Sequence, residues 1–217
     1  MTDQTLTSKM FTDFFSTQPL RSVNKGEVLH SPGELPTVVH FIESGFVKLY
    51  ALSPEGNEKL LVMLQAGEVF SLTAALLNQP TSFYAEALTN AQLRAAPRGE
   101  FVKFIHTDMA VMDKLIQVLL KTLVVLNNRV FTLSLTRAYD RLVSRLAALI
   151  EIWGVKRPDG SILINAPVTH QEIANSINLS RESTSKEMYR LQAEGILEYK
   201  NGTIVIHKPE LLKGPTA

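Results

Sequence analysis

The sequence predicts an α+β chain in three parts: an antiparallel β domain, a long helix with an unbroken apolar seam, and two short capped helices followed by a hairpin. Three observations predict it. Turn signals recur at short intervals between Leu20 and Pro97, as in a sandwich or barrel. No Gly or Pro interrupts Thr107–Ser134. Two helix-start signals, Thr169-x-x-Glu172 and Ser180, stand close together ahead of an Asn-Gly pair.

The first element expected is a helix over Ser8–Ser16, with Met10, Phe11, Phe14 and Phe15 on one side. From Leu20, short runs rich in Val, Leu and Phe alternate with turns. These are Asn24-Lys25-Gly26, Ser31-Pro32-Gly33, Glu43-Ser44-Gly45, Pro54-Glu55-Gly56-Asn57 and Gln65-Ala66-Gly67. Leu72–Leu77 is a short helix within this β region, and Arg98–Ile105 is another after it.

The long helix follows. Met112, Ile116, Leu119, Leu123, Leu126, Val130 and Leu133 are spaced alternately four and three apart, the a/d seam of a coiled coil. At 1.5 Å per residue the seam runs roughly 30 Å. Val111, Leu115, Val118, Val124 and Val125 widen the apolar surface, and a helix apolar on more than one face needs more than one partner. One face is expected to pack on its own β domain and the seam on the same helix of a second chain. A buried helix in a monomer core is the alternative.

Thr136 is expected to cap a further helix that stops at Gly154 in the left-handed conformation. Arg157-Pro158-Asp159-Gly160 is a turn, and Ser161–Asn165 a short strand. The boundary between domains falls near residues 134–138, within helical sequence. The expected domains are residues 1–106, the linking helix 107–135, and residues 136–217.

The C-terminal part carries the most specific pattern. Thr169 and Glu172 form a capping box, and Ile173, Ala174 and Ile177 are its buried face. Asn178 tolerates the left-handed turn, and Ser180 caps the next helix. Met188 and Leu191 give that helix an apolar side, and Gly195 ends it. Asn201-Gly202 joins Leu197–Lys200 to Thr203–His207 as a wing. This is a winged helix-turn-helix. Arg181, Glu182, Ser185 and Lys186 then stand on the first exposed turn of the second helix, where such motifs meet base edges in the major groove. A helical hairpin with solvated charges is the alternative.

Charge distribution adds one feature. Residues 129–157 hold Arg129, Arg137, Arg141, Arg145, Lys156 and Arg157 against Asp140 and Glu151. Two readings stand: a solvated helix face, or attraction to phosphate near a DNA-binding domain. With no cysteine there is no disulfide, thiolate metal site or iron–sulfur cluster. His30, His40, His106, His170 and His207 have no metal-ligand spacing, so no metal is expected. His30 and His40 can approach across a hairpin and read as structural. There is no Gly-x-Ser-x-Gly elbow and no glycine-rich phosphate loop, which argues against an enzyme. No apolar run approaches the ~18 residues of a membrane span, and Met1–Lys9 lack a signal-peptide core. The expectation is a cytoplasmic protein with no membrane partner.

On these residues the chain resembles the family of the cyclic-AMP receptor protein and the FNR regulators. The resemblance covers nearly the whole chain. It rests on Lys25-Gly26-Glu27, Phe41-Ile42-Glu43-Ser44-Gly45, Val47-Lys48-Leu49-Tyr50, Gly67-Glu68-Val69-Phe70, and Gln171-Glu172-Ile173-Ala174 through Ser180-Arg181-Glu182. It implies a jelly-roll effector domain of the cyclic-nucleotide-binding type, a dimerisation helix, and DNA reading by the winged helix-turn-helix. It implies a transcription regulator, a homodimer on a palindromic operator, with RNA polymerase as a partner. Arg181, Glu182 and Lys186 would read bases, while Thr169, Gln171 and Ser180 would hold phosphates. Ser185 is similar to the FNR branch, and Lys186 departs from the usual Arg. Half-sites similar to TGTGA or TTGAT are expected.

The effector pocket departs from the family. The family's phosphate cassette has a Gly-Glu pair after the strand at Val69–Phe70 and an Arg-Ser pair further on. Here Ser71-Leu72 and Thr81-Ser82 stand in those places, so only Ser82 is kept. Leu72 accepts no hydrogen bond from a ribose, and no Arg or Lys lies between Lys59 and Arg94. A buried cyclic phosphate without a cation is costly. Cyclic AMP is therefore not the expected effector. Asn127 on the long helix is a further candidate to line the pocket, or a polar residue at the dimer contact. Two alternatives remain: a cyclic-nucleotide sensor with a divergent cassette, and an interaction module without DNA binding.

Overall fold

The computed structural model describes residues 9–200 and 202–212. Most of the polar N-terminus, including Ser8 of the first expected helix, and Asn201 of the Asn-Gly turn lie outside the described residues. The chain divides into two compact units, Met1–Leu123 and Val124–Ala217.

The first unit opens with α1 (Lys9–Ser16), then β1 (Leu20–Val23), β2 (Val28–His30), β3 (Val38–Ser44), β4 (Phe46–Leu52), β5 (Glu58–Gln65) and β6 (Val69–Phe70). After these come α2 (Leu72–Leu77), β7 (Tyr84–Ala87), β8 (Ala91–Pro97) and α3 (Arg98–Ile105), and then α4 (Met109–Ser134), which continues into the second unit. The helices α2 and α3 have the bounds the sequence predicts. Two four-stranded antiparallel sheets form, in the orders β1-β8-β3-β6 and β2-β7-β4-β5.

Strand β3 is buried on both faces from Val39 to Ile42, a stretch that is apolar except for His40. Val39 and Phe41 face a cluster with Phe11, Phe15, Phe101, Ile105, Val111 and Leu115, so the helices cover this side of the sheet. Ile42 points the other way, into an inter-sheet core with Val47, Phe70, Ala85, Ala87 and Leu93. Of the first helix's four apolar residues, Phe11 and Phe15 are buried and Phe14 packs at the rim, whereas Met10 is exposed. Gly45 turns β3 into β4 with φ +88°, and a Cβ there would stand 2.6 Å from Asn90 O and 2.7 Å from Ala91 Cβ. Both its dihedral and its space demand glycine.

His40 shares the inter-sheet side. Its ring stacks on Phe70 (4.7 Å, 10°), and its Nδ1 lies 3.3 Å from His30 Nε2. The two histidines meet across the two sheets and not across one hairpin, because Ser31–Thr37 carry the chain from one sheet to the other. Burial, then His30 and Arg21, push His40 down to about 3.

Within the first unit α4 buries Val111 and Leu115. Past them its apolar residues lie open. Ile116, Leu119, Leu123, Leu126, Val130 and Leu133 are 37% to 68% exposed. Val124 and Val125 are exposed as well.

The second unit contains the end of α4, α5 (Ala138–Trp153), β9 (Gly154–Lys156), β10 (Ile162–Ile164), α6 (His170–Ile177), α7 (Arg181–Ala193), β11 (Leu197–Lys200) and β12 (Thr203–Ile206). Its strands form one antiparallel sheet in the order β11-β12-β10-β9. Leu142, Leu146, Leu149, Ile164, Ile173, Ile177 and Leu191 fill its core. Two expectations are corrected. Arg137, not Thr136, is the N-cap of α5, with no side-chain cap; instead Arg141 Nε donates to Leu135 O (2.6 Å) and holds the preceding turn. Gly154 is not left-handed: at φ −73°, ψ 122° it starts β9. Glycine is needed there for space, since a Cβ would collide with Ile150 O and lie 2.9 Å from Ile162 Cγ2.

The His40 environment predicts an acid-labile fold. The folded state depresses this pKa, so its contribution is fully present above about 6.5 and is lost as pH falls toward about 3. His40→Phe keeps the stack on Phe70 and removes the proton. Its thermal unfolding midpoint is expected to fall less steeply than the parent's between pH 6.5 and 4; parallel curves would contradict the assignment.

Candidate functional site

The second unit assembles the helix-turn-helix as its capping signals dictate. Thr169 Oγ1 accepts from Glu172 N (3.2 Å), and Thr169 N donates to Glu172 Oε2 (2.9 Å), closing the capping box. Asn178 ends α6 at φ 54°, the left-handed turn its residue type tolerates. Ser180 Oγ accepts from Ser183 N (3.1 Å) and starts α7. At the other end Gly195, at φ +65°, allows Ile196 N to donate to Leu191 O and Gly195 N to Gln192 O, a Schellman close. The fully buried Ala174 lies on the same apolar face as Ile173 and Ile177.

These caps leave one end of α7 open. Arg181, Glu182 and Lys186 are exposed and form no ion pair among the described residues, unlike Arg190, which pairs with Glu194 (3.0 Å). Ser180, Arg181, Glu182 and Ser185 line one open depression. Thr169 and Gln171 are exposed at the start of α6, where Gln171 Nε2 donates to Asn175 Oδ1 (2.7 Å). The hairpin β11–β12 supplies the wing, paired from Leu197↔Ile206 to Lys200↔Thr203.

One member of the cluster has no sequence signal. His170 Nδ1 lies 2.8 Å from Ser185 Oγ, and its ring packs against Tyr199 of the wing (4.3 Å) and Tyr189 of α7 (6.2 Å). Burial first, then Arg181, lower its pKa. A lone His at a helix start reads from sequence as a solvated residue; only the crossing of α6 and α7 puts a hydroxyl beside it.

The basic stretch 129–157 is divided: Arg137, Lys156 and Arg157 are exposed, while Arg129 and Arg141 turn to protein carbonyls. Arg129 Nη2 donates to Ser176 O (3.2 Å), and Arg141 Nη1 reaches Ile177 O (3.4 Å) and Asn178 O (3.5 Å). Two arginines therefore serve the carbonyl end of α6, where the helix has acceptors without donors and a negative dipole end. Arg145 is half-buried with its Nε enclosed, and burial first, then Arg129, lower its pKa to about 10. Buried Thr132 and Ser144 join their hydroxyls at 2.7 Å, so the end of α4 is tied to α5 as well.

In the first unit three of the four cassette-position residues are engaged within the domain. Ser71 sits at φ 69°, and its Oγ lies 3.0 Å from His30 Nε2. Leu72 packs on the apolar cluster of the helices. Thr81 Oγ1 donates to Phe83 O (3.2 Å), and Ser82 is exposed. Asn127 is exposed on α4 in the second unit, so it is not brought together with the other four within one unit. These residues do not fit a cyclic nucleotide: they offer no cation for its phosphate and no carboxylate for its ribose. Among the described residues no group of three or more His, Asp or Glu is placed to hold a metal ion. No helix among them is long and apolar enough to cross a membrane.

Residues 20–108 match the cyclic nucleotide-binding domain, and residues 140–214 match the Crp-like helix-turn-helix domain. The chain is 25% identical over 197 residues to the global nitrogen regulator of Synechocystis sp., covering 89% of this chain and 86% of that one. It is 24% identical over 188 residues to the CRP-like cAMP-activated global transcriptional regulator of Mycobacterium tuberculosis, covering 87% and 84%. The structure of FixK2 from Bradyrhizobium japonicum shares the fold, with a TM-score of 0.79 and 21% identity over 90% of this chain and 96% of that one. A β-roll domain of one matched type, a long helix and a helix-turn-helix of the other, in that order along the chain, place this protein in the Crp/Fnr family of DNA-binding transcription regulators.

Proposed function

We propose that two copies of the chain pair along α4 and present their α7 helices to successive major grooves of a palindromic operator. The observation that carries this is the first two turns of α7, where Arg181, Glu182 and Lys186 are exposed without an ion pair of their own among the described residues. Arg181 can bond guanine O6 and N7 together, and Glu182 can accept from cytosine N4. Lys186 carries a point charge where the family uses a fork, so it contributes charge and reach more than bidentate recognition. Thr169, Gln171 and Ser180, at the two helix starts, are suited to phosphate oxygens. Half-sites similar to TGTGA or TTGAT follow from the family resemblance.

Pairing along α4 is supported by the apolar stripe from Ile116 to Leu133, open on the single chain and spaced for a coiled coil. Met112 begins the seam but is already half-buried on the first unit's own cluster. In this reading the pocket does not serve cyclic AMP. Ser71, Leu72 and Thr81 are engaged within the domain, which supports a less polar ligand or none. The protein works in the cytoplasm, meets RNA polymerase at its target promoters, and has no catalytic role.

Three measurements test these statements. Leu123→Glu together with Leu126→Glu should sediment as single chains where the parent pairs, and lose operator affinity roughly 100-fold or more; a variant that still pairs would refute the seam. Arg181→Ala should cost about 1–3 kcal/mol and relax base choice at one position. A loss uniform over all sequences would instead put Arg181 on phosphate. Calorimetric titration with cyclic AMP and cyclic GMP should give no saturable heat, whereas saturation would mean a working though divergent cassette.

A further inference from the structure

Ser185 differs from several helical hydroxyls of this chain. A serine or threonine within a helix ordinarily returns its proton to a carbonyl one turn back. Thr122 does so to Val118 O (3.0 Å), Thr132 to Asn128 O (3.0 Å) and Ser176 to Ile173 O (2.7 Å). The side chain of Ser185 makes its hydrogen bond to His170 instead, at 2.8 Å. The same serine lines the depression shared with Ser180, Arg181 and Glu182.

We infer that His170 is a specificity-positioning residue, which holds the Ser185 hydroxyl off its own helix and leaves its proton free for an acceptor on a base edge. The inference rests on α7 being the reading helix. The direction of the hydrogen bond follows from the other ring nitrogen. His170 Nε2 is buried and has no hydrogen-bond partner. A buried N–H without an acceptor is a rarer state than a buried lone pair without a donor. The proton therefore sits on Nδ1, and Nδ1–H donates to Ser185 Oγ. That occupies one lone pair of the serine and leaves its O–H to point into the depression. Tyr199 and Tyr189 pack on the imidazole from the wing and from α7, which fixes the ring. In the major groove an O–H so placed selects O6 or N7 of guanine, O4 of thymine or N7 of adenine.

The test is competition binding on operators varied one base pair at a time, with the parent, His170→Ala, His170→Asn, Ser185→Ala and Arg181→Ala. Without His170 the serine proton returns to Arg181 O. His170→Ala should therefore lose roughly two- to tenfold of discrimination, the scale of one net hydrogen bond, at the position that Ser185→Ala also relaxes. Combining the two should add nothing there. His170→Asn offers an N–H in place of Nδ1–H and should restore the preference, which a purely structural role would not predict. A preference that survives His170→Ala, or that His170→Asn fails to restore, overturns the inference. If Arg181→Ala relaxes its own position while His170→Ala changes none, only this inference falls. If Arg181→Ala also leaves base choice intact, α7 is not the reader and both readings fall.

Discussion

A helix that stops leaves its last carbonyls without donors, and the second unit is built around that constraint at the end of α6. The chain must turn there at Asn178, in the left-handed conformation, before α7 can begin. Arg129 from α4 and Arg141 from α5 supply the donors to Ser176, Ile177 and Asn178. A guanidinium suits the task because its planar fork serves several acceptors and keeps its charge when partly buried. The consequence is mechanical. The last turns of α4 grip the turn that sets the direction of α7, with Thr132 and Ser144 adding a buried tie between α4 and α5. Within the second unit the end of α4 is thus joined by direct side-chain contacts to the turn from which the proposed reading helix starts.

The first unit solves a different problem. Strand β3 is covered on both sides, by helices on one and by the second sheet on the other. His40 is a polar residue on the inter-sheet side of this strand. It is accommodated neutral, stacked on Phe70, with His30 and then Ser71 continuing a short polar chain. That chain ends at the residue which starts α2, in the place where the family's cassette begins. Of the residues in the cassette positions, Ser71 is turned to His30, Leu72 packs on the helical cluster, Thr81 bonds Phe83 O, and Ser82 is exposed. The matched domain type and the chemistry of its pocket point in different directions, and the pocket's residues decide which ligands it tolerates.

Much of this was legible in the chain itself. Leu72–Leu77 and Arg98–Ile105 follow from local pattern and take those bounds in the structure. The cap of Thr169, the turn at Asn178 and the cap of Ser180 use interactions within a few residues, and each is formed as expected. The apolar seam of α4 is a matter of spacing, and its exposure agrees with that spacing. Local signals misled where more than one residue type fits a role. Thr136 is a better capping residue than Arg137, yet Arg141 secures the turn from further along the helix. Gly154 fits a left-handed terminator, yet strand β9 and the approach of Ile162 use it as a gap.

The sequence by itself determined the α+β order, the caps and turns, the stripe on α4 and the charged first turn of α7, because these depend on neighbours a few residues away. Only the tertiary structure decided what the arginines of α4 and α5 hold, that His30 and His40 meet across two sheets, and that His170 holds Ser185. Each of those contacts joins residues on separate elements. Spacing along a chain carries no information on distances of a few ångströms across a packed interior.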